Sequence, residues 1–361
     1  MNMNMTEEGS IFLVIPTLKQ GGAERVISEL ANYFSSQNVD VHLILLVAAD
    51  DFYPINPNVH IHRLGFVNKG KLRRHFAEMQ VLVKFRSLLK LYKPKSVLSF
   101  MDKYNIFTIL ASRFLNLRVF VSDRSNPNLH RSFFSQFLKS LTYKHATGII
   151  AQTLLAKESL ENLTGNENIR VIPNPVKEVQ LYPDEAREKF IINVGRLVPE
   201  KGQGLLIRAF ANLQAEDWKL IILGDGPLRS ELESLVLYLG LENKVRMPGA
   251  VSDIDKWLAK SKIFAFSSIS EGFPNALMEA MAAGLPCVSF DCDAGPSEII
   301  VNGLNGLLVS PNNVGEFTSR LSFLINMPEE AERISLNALD IRQQYNINVI
   351  GDRYFEFLLN G

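Results

Sequence analysis

Cysteine is scarce in this chain of 361 residues, which contains only Cys287 and Cys292. Both lie near one predicted strand, so we expect inert, reduced thiols and no disulfide framework. Long apolar runs are also missing, because no stretch approaches the ~18 residues of a membrane-spanning helix. Residues 1–10 are polar, with Glu7 and Glu8, and lack the pattern of a secretory signal peptide. We therefore expect a cytoplasmic protein.

Net charge is zero overall, but this balance hides an asymmetry. Residues 1–172 contain 21 Lys and Arg against 13 Asp and Glu, so their net charge is +8 and that of the remainder is −8. All six histidines lie in the basic part. A basic and an acidic half indicate two modules with different partners, and the length suits two domains.

Apolar runs alternate with helical patterns along both halves of the chain. In the first half, strands are predicted at residues 11–16, 41–47, 96–100, 119–122 and 148–151, and helices at 23–34, 76–92, 106–114 and 133–143. Continuous apolar runs are typical of parallel strands that are covered on both faces. The pattern therefore predicts an α/β protein with doubly wound parallel sheets.

The segment Ile-Pro-Asn-Pro at residues 172–175 interrupts this alternation, since proline cannot continue a helix or a central strand. We predict one Rossmann-like domain over residues 1–172, a linker over 173–189, a second such domain over 190–345, and a terminal helix over 346–361 that can pack back on the first. In the second domain, strands are predicted at 190–197, 220–223, 245–247, 263–267, 286–290 and 306–309. Ligands of such sheets bind at the carboxyl ends of the strands, so we expect a cleft where the two sheets face each other.

Two cations five residues apart follow the first strand of the second domain. Arg196 and Lys201 lie in Gly-Arg-Leu-Val-Pro-Glu-Lys-Gly, on a turn between a strand and a helix. Arginine offers phosphate oxygens a planar fork of donors, and lysine offers a mobile point charge. Together they indicate a site that stabilises a diphosphate leaving group. A solvated basic turn would have the same composition.

Two acids eight residues apart follow a later strand of the same domain. Glu271 begins the run Glu-Gly-Phe-Pro-Asn, and Glu279 falls in the helix that follows. Pro274 suits the first turn of that helix. The backbone amides expected to be free for oxygen ligands are those of Gly272, Phe273 and Asn275. An acid/base pair, as in glycosidases, and an N-cap acid beside a solvated acid both remain open.

Glycine and aspartate pairs near strand ends give weaker signals. Gly21 and Gly22 follow the first strand, where glycine lets a phosphate approach the backbone at a helix N-terminus, although a plain tight turn has the same pattern. Asp-x-Asp spacing occurs at residues 253–255 and 291–293. Without a third ligand nearby, we expect no metal at either pair.

A basic stretch spans residues 69–95, with nine Lys and Arg and a single acid, Glu78. Apolar residues recur there at helical spacing, and a second aromatic and basic segment includes Phe133 and Phe134. Amphipathic basic helices can lie on anionic membranes, although a core helix with a solvated face gives the same pattern. We expect contact with an anionic membrane surface. No nucleic-acid-binding motif accompanies the charge, so we expect no nucleic acid.

These segments, in this order, resemble the retaining glycosyltransferases of family 4. The motifs shared with that family are Gly-Gly-Ala-Glu at 21–24, Ile-Pro-Asn-Pro at 172–175, Gly-Arg-Leu-x3-Lys-Gly at 195–202, Glu-x7-Glu at 271–279, Glu-Ala-Met-Ala-Ala-Gly-Leu-Pro at 279–286 and Gly-Pro-Ser-Glu-Ile-Ile at 295–300. The resemblance covers nearly the whole chain and implies the GT-B fold, in which two Rossmann-like domains face each other across a cleft. It specifies the family and not the substrate.

The resemblance also implies roles for single residues. Arg196 and Lys201 would hold the donor diphosphate, Glu271 the transferred sugar and Glu279 the ribose hydroxyls of the nucleotide. Further donor-binding residues would be Gly21, Gly22, Val251, Lys256, Gly272, Phe273, Pro274 and Asn275. A departing phosphate oxygen would take the proton of the acceptor, with no metal and no cofactor, since the nucleotide sugar is a substrate.

One position departs from the family pattern. Many relatives have a histidine after a first-domain strand, facing the sugar, whereas Asp123 occupies that position here and is counted with the catalytic residues. Members with an acid there act on bacterial surface or lipid-linked glycans, often with UDP-N-acetylhexosamines or UDP-galactose. The resemblance thus implies such a donor, a glycan or lipid-linked glycan acceptor and a place on the inner face of the plasma membrane.

Two alternatives share the same fold. A nucleotide-sugar epimerase would convert the donor without an acceptor. A non-catalytic module would only bind a sugar nucleotide or a glycan. The complete set of charged positions argues against the non-catalytic module.

Overall fold

Two compact units make up the chain. The computed structural model describes residues 9–65, 71–124, 126, 132–182 and 184–360, without the side chains of residues 71–76. The first unit comprises Met1–Pro175 and Ile347–Gly361, and the second comprises Val176–Asn346. The terminal segment therefore belongs to the first unit, although it follows the second along the chain.

A seven-stranded parallel sheet forms the centre of the first unit. Its strands are β1 Ile11–Ile15, β2 Val41–Leu45, β3 His60–Arg63, β4 Ser96–Phe100, β5 Arg118–Ser122, β6 Gly148–Ala151 and β7 Ile169–Val171. They are ordered β3-β2-β1-β4-β5-β6-β7. The helices before the second unit are α1 Gly22–Ser36, α2 Lys71–Tyr92, α3 Asp102–Ser112, α4 Phe133–Tyr143 and α5 Leu154–Thr164.

A six-stranded parallel sheet forms the centre of the second unit, in the order β10-β9-β8-β11-β12-β13. Its strands are β8 Phe190–Val194, β9 Lys219–Leu223, β10 Val245–Gly249, β11 Ile263–Phe266, β12 Cys287–Phe290 and β13 Leu307–Val309. Its helices are α6 Gln203–Ala211, α7 Arg229–Tyr238, α8 Ile254–Lys260, α9 Asn275–Ala282, α10 Pro296–Ile299, α11 Val314–Asn326, α12 Pro328–Ala338 and α13 Ile341–Gln344. Each strand overlaps one that the sequence predicts.

Apolar side chains cover both faces of these sheets. Along β8, Ile191 joins one hydrophobic cluster and its neighbour Ile192 joins another, and both are fully buried. Successive side chains of a strand point to opposite faces, so a strand buried on both faces needs an unbroken apolar run. This packing confirms the predicted α/β class.

The sequence patterns missed three elements of the first unit: β3, α5 and β7. The edge strand β3 has the sequence His-Ile-His-Arg with three exposed residues, so it has no apolar run to reveal it. β7 has only three residues and lies directly before the proline-rich segment. Its pairing with β6 is a long-range contact that local sequence does not encode.

The segment expected to be a linker is packed against the second unit. The Val176 amide donates to the Tyr345 carbonyl at 2.7 Å. Lys177 Nζ lies 3.0 Å from the Asp255 carboxylate, which also accepts from the Gln180 amide at 3.1 Å. Residues 176–189 are therefore part of the second unit rather than a linker.

The final helix, α14 Ile347–Asn360, packs on the first unit. Tyr33 of α1 donates a hydrogen bond to Asp352, and the ring of Phe357 meets that of Phe120 edge-on at 5.1 Å between centroids. These contacts bury one face of α14 against α1 and the sheet. None of the described helices is both long and apolar enough to span a lipid bilayer.

Candidate functional site

The strand order of the second unit reverses between β8 and β11. These strands are neighbours, but the helices that follow them, α6 and α9, pack on opposite faces of the sheet. Their loops therefore diverge at the carboxyl edge and leave a crevice, where α/β sheets bind ligands. Arg196 and Lys201 lie in the loop after β8, and Glu271 lies in the loop after β11.

Lys201 and Glu271 form an ion pair in this crevice. Lys201 Nζ lies 2.5 Å from Glu271 Oε1, and the Glu271 side chain is only 9% exposed against 22% for Lys201. Partial burial reduces screening by water and strengthens such a charge-assisted hydrogen bond. An ammonium group has three donors, so two remain for a ligand. The pair thus offers one ligand both a cation and a carboxylate.

Backbone contacts fix the two loops against each other. The Ser267 hydroxyl donates to the Lys201 carbonyl at 2.9 Å, and the Ile269 amide donates to the Glu200 carbonyl at 2.9 Å. Gly202 is left-handed, with φ of 62°, and a Cβ there would lie 2.2 Å from the Ser267 carbonyl oxygen. Only glycine permits this approach, which positions Lys201.

Arg196 is exposed beside the ion pair. Its carbonyl accepts a hydrogen bond from Gln203 Nε2 at 3.0 Å, which ties the turn to α6. Its guanidinium forms no ion pair with any residue that the structure describes. The Lys201 side chain passes Gly195, where a Cβ would lie 3.6 Å from Lys201 Cδ. Both cations are therefore presented by one turn.

The turn that begins at Glu271 leads into α9. The Gly272 and Phe273 amides have no hydrogen-bond acceptor within the described part of the chain, whereas the Asn275 amide donates to the Phe273 carbonyl at 3.0 Å. The expected free amide at Asn275 is therefore wrong, because a tight turn before the helix uses it. Two unpaired amides remain next to Glu271 for oxygen ligands.

Pro274 and Glu279 have separate positions on α9. Pro274 directly precedes the helix instead of lying in its first turn, and a Cβ on Gly295 would lie 2.4 Å from its ring. Glu279 is half-buried in the second turn. Because Glu271 precedes the helix and pairs with Lys201, the two glutamates do not form an acid/base pair on one helix face.

Val251 and Lys256 lie in different places. Val251 follows β10 at the carboxyl edge of the sheet. Lys256 lines a pocket of 290 Å³, together with Glu188, Phe190, Arg246, Trp257 and Lys260. Phe190 is the first residue of β8, so this pocket opens at the amino end of the strand. The role of Lys256 in donor binding stays a prediction.

The aspartates at 253 and 255 have structural roles. Asp253 caps α8 by accepting from the Lys256 amide at 3.1 Å, and it also accepts from the Tyr182 hydroxyl at 3.1 Å. Asp255 accepts from Lys177, as described above. Both carboxylates therefore stabilise the packing of residues 176–189 on the second unit.

In the first unit, Gly21 directly precedes α1 and Gly22 is the first residue of that helix. The Gly21 amide donates to the Tyr53 hydroxyl at 3.2 Å, and that hydroxyl donates to the Gly21 carbonyl at 3.0 Å. A Cβ on Gly21 would lie 2.3 Å from Glu24 Oε2. Burial raises the pKa of Glu24. A carboxylate beside this turn disfavours a phosphate there, and the role of both glycines stays a prediction.

Asp123 follows β5 at the carboxyl edge of the first sheet and is buried. Lys139 of α4 forms an ion pair with it and also lies 3.5 Å from Asp102, which follows β4. The acid is thus held between a strand end and a helix. Sequence reasoning did not select Asp102, although it follows an apolar strand at nearly the same distance as Asp123 does.

Arg124 and Asn174 form a second buried polar contact that sequence reasoning missed. Arg124 donates to Asn174, and its guanidinium lies 4.3 Å from the ring centroid of Phe100. Gln152 Nε2 donates to the same Asn174 oxygen at 2.6 Å. Burial lowers the pKa of Arg124. The asparagine between two prolines therefore anchors the end of the first unit.

Both cysteines are free and buried. Burial, reinforced by the charge of Glu271, raises the pKa of the Cys292 thiol to about 12. Burial also raises the pKa of Cys287 in β12. Both thiols thus stay protonated at neutral pH, and the thiolate is the reactive form. This agrees with the expectation of inert thiols.

Four large apolar side chains are exposed on α4. In α2, Val81, Phe85 and Leu89 are buried in the core, whereas Met79, Val83, Leu91 and Tyr92 are exposed. The basic residues at 69–76 lie outside the described side chains. In α4, the exposed apolar residues are Phe133, Phe134, Phe137 and Leu141. These four side chains are called the α4 apolar face below.

Two family models match the chain. The model described as "Glycosyltransferase Family 4" matches residues 20–179, and the one described as "Glycosyl transferases group 1" matches residues 180–340. Together they span most of both units.

Relatives of known or assigned function match over most of their length. A Campylobacter jejuni protein is 30% identical over 83% of this chain and 86% of its own length. It is an N-acetylgalactosamine-N,N'-diacetylbacillosaminyl-diphospho-undecaprenol 4-alpha-N-acetylgalactosaminyltransferase. The amylovoran biosynthesis glycosyltransferase AmsD of Erwinia amylovora is 27% identical over 87% of this chain and 89% of its own length.

Solved structures share the fold at lower identity. Alr3699/HepE of Anabaena, in complex with UDP and glucose, is 21% identical with a TM-score of 0.82, over 98% of this chain and 100% of that one. TarM is 15% identical with a TM-score of 0.81, over 99% of this chain and 100% of that one. These likenesses establish the GT-B type of α/β fold.

Proposed function

The chain belongs to glycosyltransferase family 4, and we propose that it transfers a sugar from a nucleotide diphosphate to a lipid-linked glycan. It is a glycosyltransferase by family. We propose the identity of the donor, the identity of the acceptor and the stereochemistry of the transfer. The observation that supports it best is the Lys201–Glu271 ion pair at the strand-order reversal of the second unit.

The cations suit a diphosphate leaving group. Arg196 and Lys201 extend from one turn, and Lys201 is already held by Glu271 before a ligand arrives. Breaking the bond from the sugar to the diphosphate leaves negative charge on a phosphate oxygen. Prepositioned donors stabilise that charge without reorganising during the reaction.

The opposite side of the same crevice suits the sugar. The Glu271 carboxylate accepts hydrogen bonds from hydroxyls, and the adjacent Gly272 and Phe273 amides donate to sugar oxygens. Glu279, in the second turn of α9, would accept from the ribose hydroxyls. In the first unit, Asp123 stays a candidate catalytic residue, as predicted from the sequence.

We propose transfer with retention of configuration at the anomeric carbon. The bond from that carbon to the diphosphate oxygen breaks, and a bond to the acceptor hydroxyl forms on the same face of the sugar. The departing phosphate oxygen takes the proton of the acceptor hydroxyl. This leaves a nucleoside diphosphate and the extended glycan, and no metal enters the step.

The names of relatives guide the choice of substrates. The Campylobacter relatives act on undecaprenyl diphosphate-linked glycans, and Alr3699/HepE was solved with UDP and glucose. We propose a UDP-sugar donor, with UDP-N-acetylhexosamine or UDP-galactose first, and an acceptor used in bacterial surface glycan assembly.

Such an acceptor lies in a membrane, and the α4 apolar face suits contact with one. Its aromatic rings are exposed on a unit whose sequence is strongly basic. Exposed aromatic side chains insert at the headgroup boundary, and basic residues attract anionic lipids. We propose peripheral docking on an anionic membrane surface through α4.

A donor screen followed by product analysis tests the function. UDP, GDP, ADP and their sugars are compared by thermal shift, since a ligand of the native state raises the melting temperature. The stabilising donor is then incubated with an undecaprenyl diphosphate-linked glycan, and the product linkage is assigned by NMR. An α-linked product from an α-linked donor is expected. An inverted product contradicts retention, and a stereoisomer of the donor formed without acceptor favours an epimerase.

A further inference from the structure

Three histidines and an aspartate meet at the amino edge of the first sheet. His60 and His62 alternate along β3, so both point to one face. The parallel register pairs His42 of β2 with His60, which places His42 on that face as well. Asp40 directly precedes β2. Asp123 follows β5 at the carboxyl edge of the same sheet, so this cluster is remote from the candidate catalytic residues.

The potential ligand atoms are close together. His42 Nε2 lies 3.3 Å from both Asp40 oxygens, and His60 Nε2 lies 3.5 Å from Asp40 Oδ1. The three ligand atoms all lie within 4.8 Å of one another, and no other group of three such residues meets this criterion among the residues that the structure describes. The side chains of Asp40 and His60 are 54% and 63% exposed, so an ion can enter from solvent.

These separations match the coordination geometry of zinc. Zn–N and Zn–O bonds of about 2.0–2.1 Å in a tetrahedron place neighbouring ligand atoms roughly 3.3 Å apart. The His42–Asp40 and His60–Asp40 separations are already near that value. The third separation, between the ligand nitrogens of His42 and His60, lies within 4.8 Å, and rotation of the exposed His60 ring can shorten it.

The surroundings orient the central imidazole. His42 Nδ1 lies 2.8 Å from His62 Nε2, and the His42 ring stacks on Phe12 at 4.7 Å and meets Tyr92 at 4.5 Å. A hydrogen bond at one ring nitrogen fixes the tautomer and leaves the other nitrogen as a ligand.

We propose that Asp40, His42 and His60 bind one Zn²⁺ ion, with water in the fourth position and His62 as the hydrogen-bond partner of His42. Nitrogen and oxygen donors in this number suit a borderline divalent transition metal. The ion joins the edge strand β3 to β2. It acts on the stability of the first unit and not on sugar transfer.

Metal titration of the chelator-treated protein tests this site. Zn²⁺ is added in competition with a chromophoric chelator, and Co²⁺ is added to detect the visible absorption of a tetrahedral ion. We expect one Zn²⁺ per chain and a melting temperature that rises with Zn²⁺ until saturation. Asp40→Asn and His60→Ala each change an exposed ligand, so the fold should persist, and each should weaken binding by more than ~100-fold.

Two further variants separate this site from general surface binding. His145→Ala removes an exposed histidine outside the cluster and should leave the affinity unchanged. His62→Phe keeps a ring to stack on His42 but deletes the nitrogen, and should weaken Zn²⁺ by about 10–100-fold. Binding that is equal in wild type and in the Asp40→Asn/His60→Ala double variant overturns the proposal. A loss of Zn²⁺ affinity in His145→Ala that is as large as the loss in the double variant also overturns the proposal.

Discussion

Lys201 of the loop after β8 and Glu271 of the loop after β11 are joined by a 2.5 Å ion pair. The two residues are 70 positions apart in the sequence. Their meeting follows from the sheet order, because β8 and β11 are neighbours although β9 and β10 intervene along the chain. In the proposed reaction, the pair places the cation for the leaving group against the acid for the sugar.

Lys201→Ala should lower kcat/KM by about 10²- to 10³-fold, because it removes a donor aimed at charge that develops in the transition state. Steady-state transfer assays measure the change. Lys262→Ala is a matched control, since Lys262 is exposed and directly precedes β11 at the opposite edge of the same sheet. Equal activity of Lys201→Ala and wild type would show that Lys201 does not contribute to sugar transfer.

The same ion pair should contribute to stability. Lys201→Met leaves Glu271 mostly buried without its cation, so the free energy of unfolding should fall by about 1–3 kcal/mol. Adding Glu271→Gln removes the uncompensated charge, so the double variant should lose less than the two single losses combined. Urea denaturation measures all three variants, and strictly additive losses would contradict the coupling.

Gly202→Ala should destabilise the second unit more than Gly240→Ala does. Both glycines are left-handed, with φ of 62° and 67°, so each substitution adds about 1–2 kcal/mol of backbone strain. At Gly202 the new Cβ also meets the Ser267 carbonyl, whereas at Gly240 no atom lies within 4 Å. The difference between the two melting curves measures the clash, and equal curves would argue against this loop contact.

Cys292 should react with a thiol reagent only in the unfolded protein. Its folded pKa of about 12 lies above the unfolded value near ~8.5, so the native state retains the proton. The stability from this difference is present below the unfolded pKa and falls as pH rises above it. Titration with a chromogenic disulfide at pH 8 should therefore detect both thiols in urea and neither in the native state. Rapid labelling of native protein would contradict the burial.

Removing rings from the α4 apolar face should weaken membrane binding. Phe133→Ser with Phe134→Ser should reduce flotation with anionic liposomes, since each buried aromatic adds apolar contact at the lipid boundary. Phe114→Ser is the control, because Phe114 is 88% exposed but lies beyond the end of α3. Binding should weaken with added salt. Equal flotation of the α4 variant and the control would exclude this helix as the docking surface.

Much of the fold was predictable because buried parallel strands leave a continuous apolar signal. Five of the six strands of the second unit and the strand β1 carry such an apolar run, whereas β10 interrupts it with the exposed Arg246. The edge strand β3 was not found, since His60 and His62 give no such signal. The candidate site residues were selected one at a time, as charged residues that follow predicted strands. Motif spacing shows only how residues are related along the local sequence.

Contacts between distant segments could not be derived from local sequence. Nothing near Asp123 in sequence indicates that Lys139 pairs with it, and nothing near Asn174 indicates that it accepts from Arg124. The Asn275 amide was mistaken for a free donor, because its use depends on turn geometry.

The sequence by itself determined the α/β class and the charged residues at the strand ends, because hydrophobic periodicity is a local property of the sequence. It also determined the family, because the order of the motifs resembles that of family members. Only the tertiary structure decided which of those residues meet. The sheet order brings Lys201 to Glu271, the parallel register gathers His42 with His60, and α14 joins the first unit although it follows the second. These relations depend on strand neighbours that are remote in sequence, and such pairing is fixed by packing of the whole sheet.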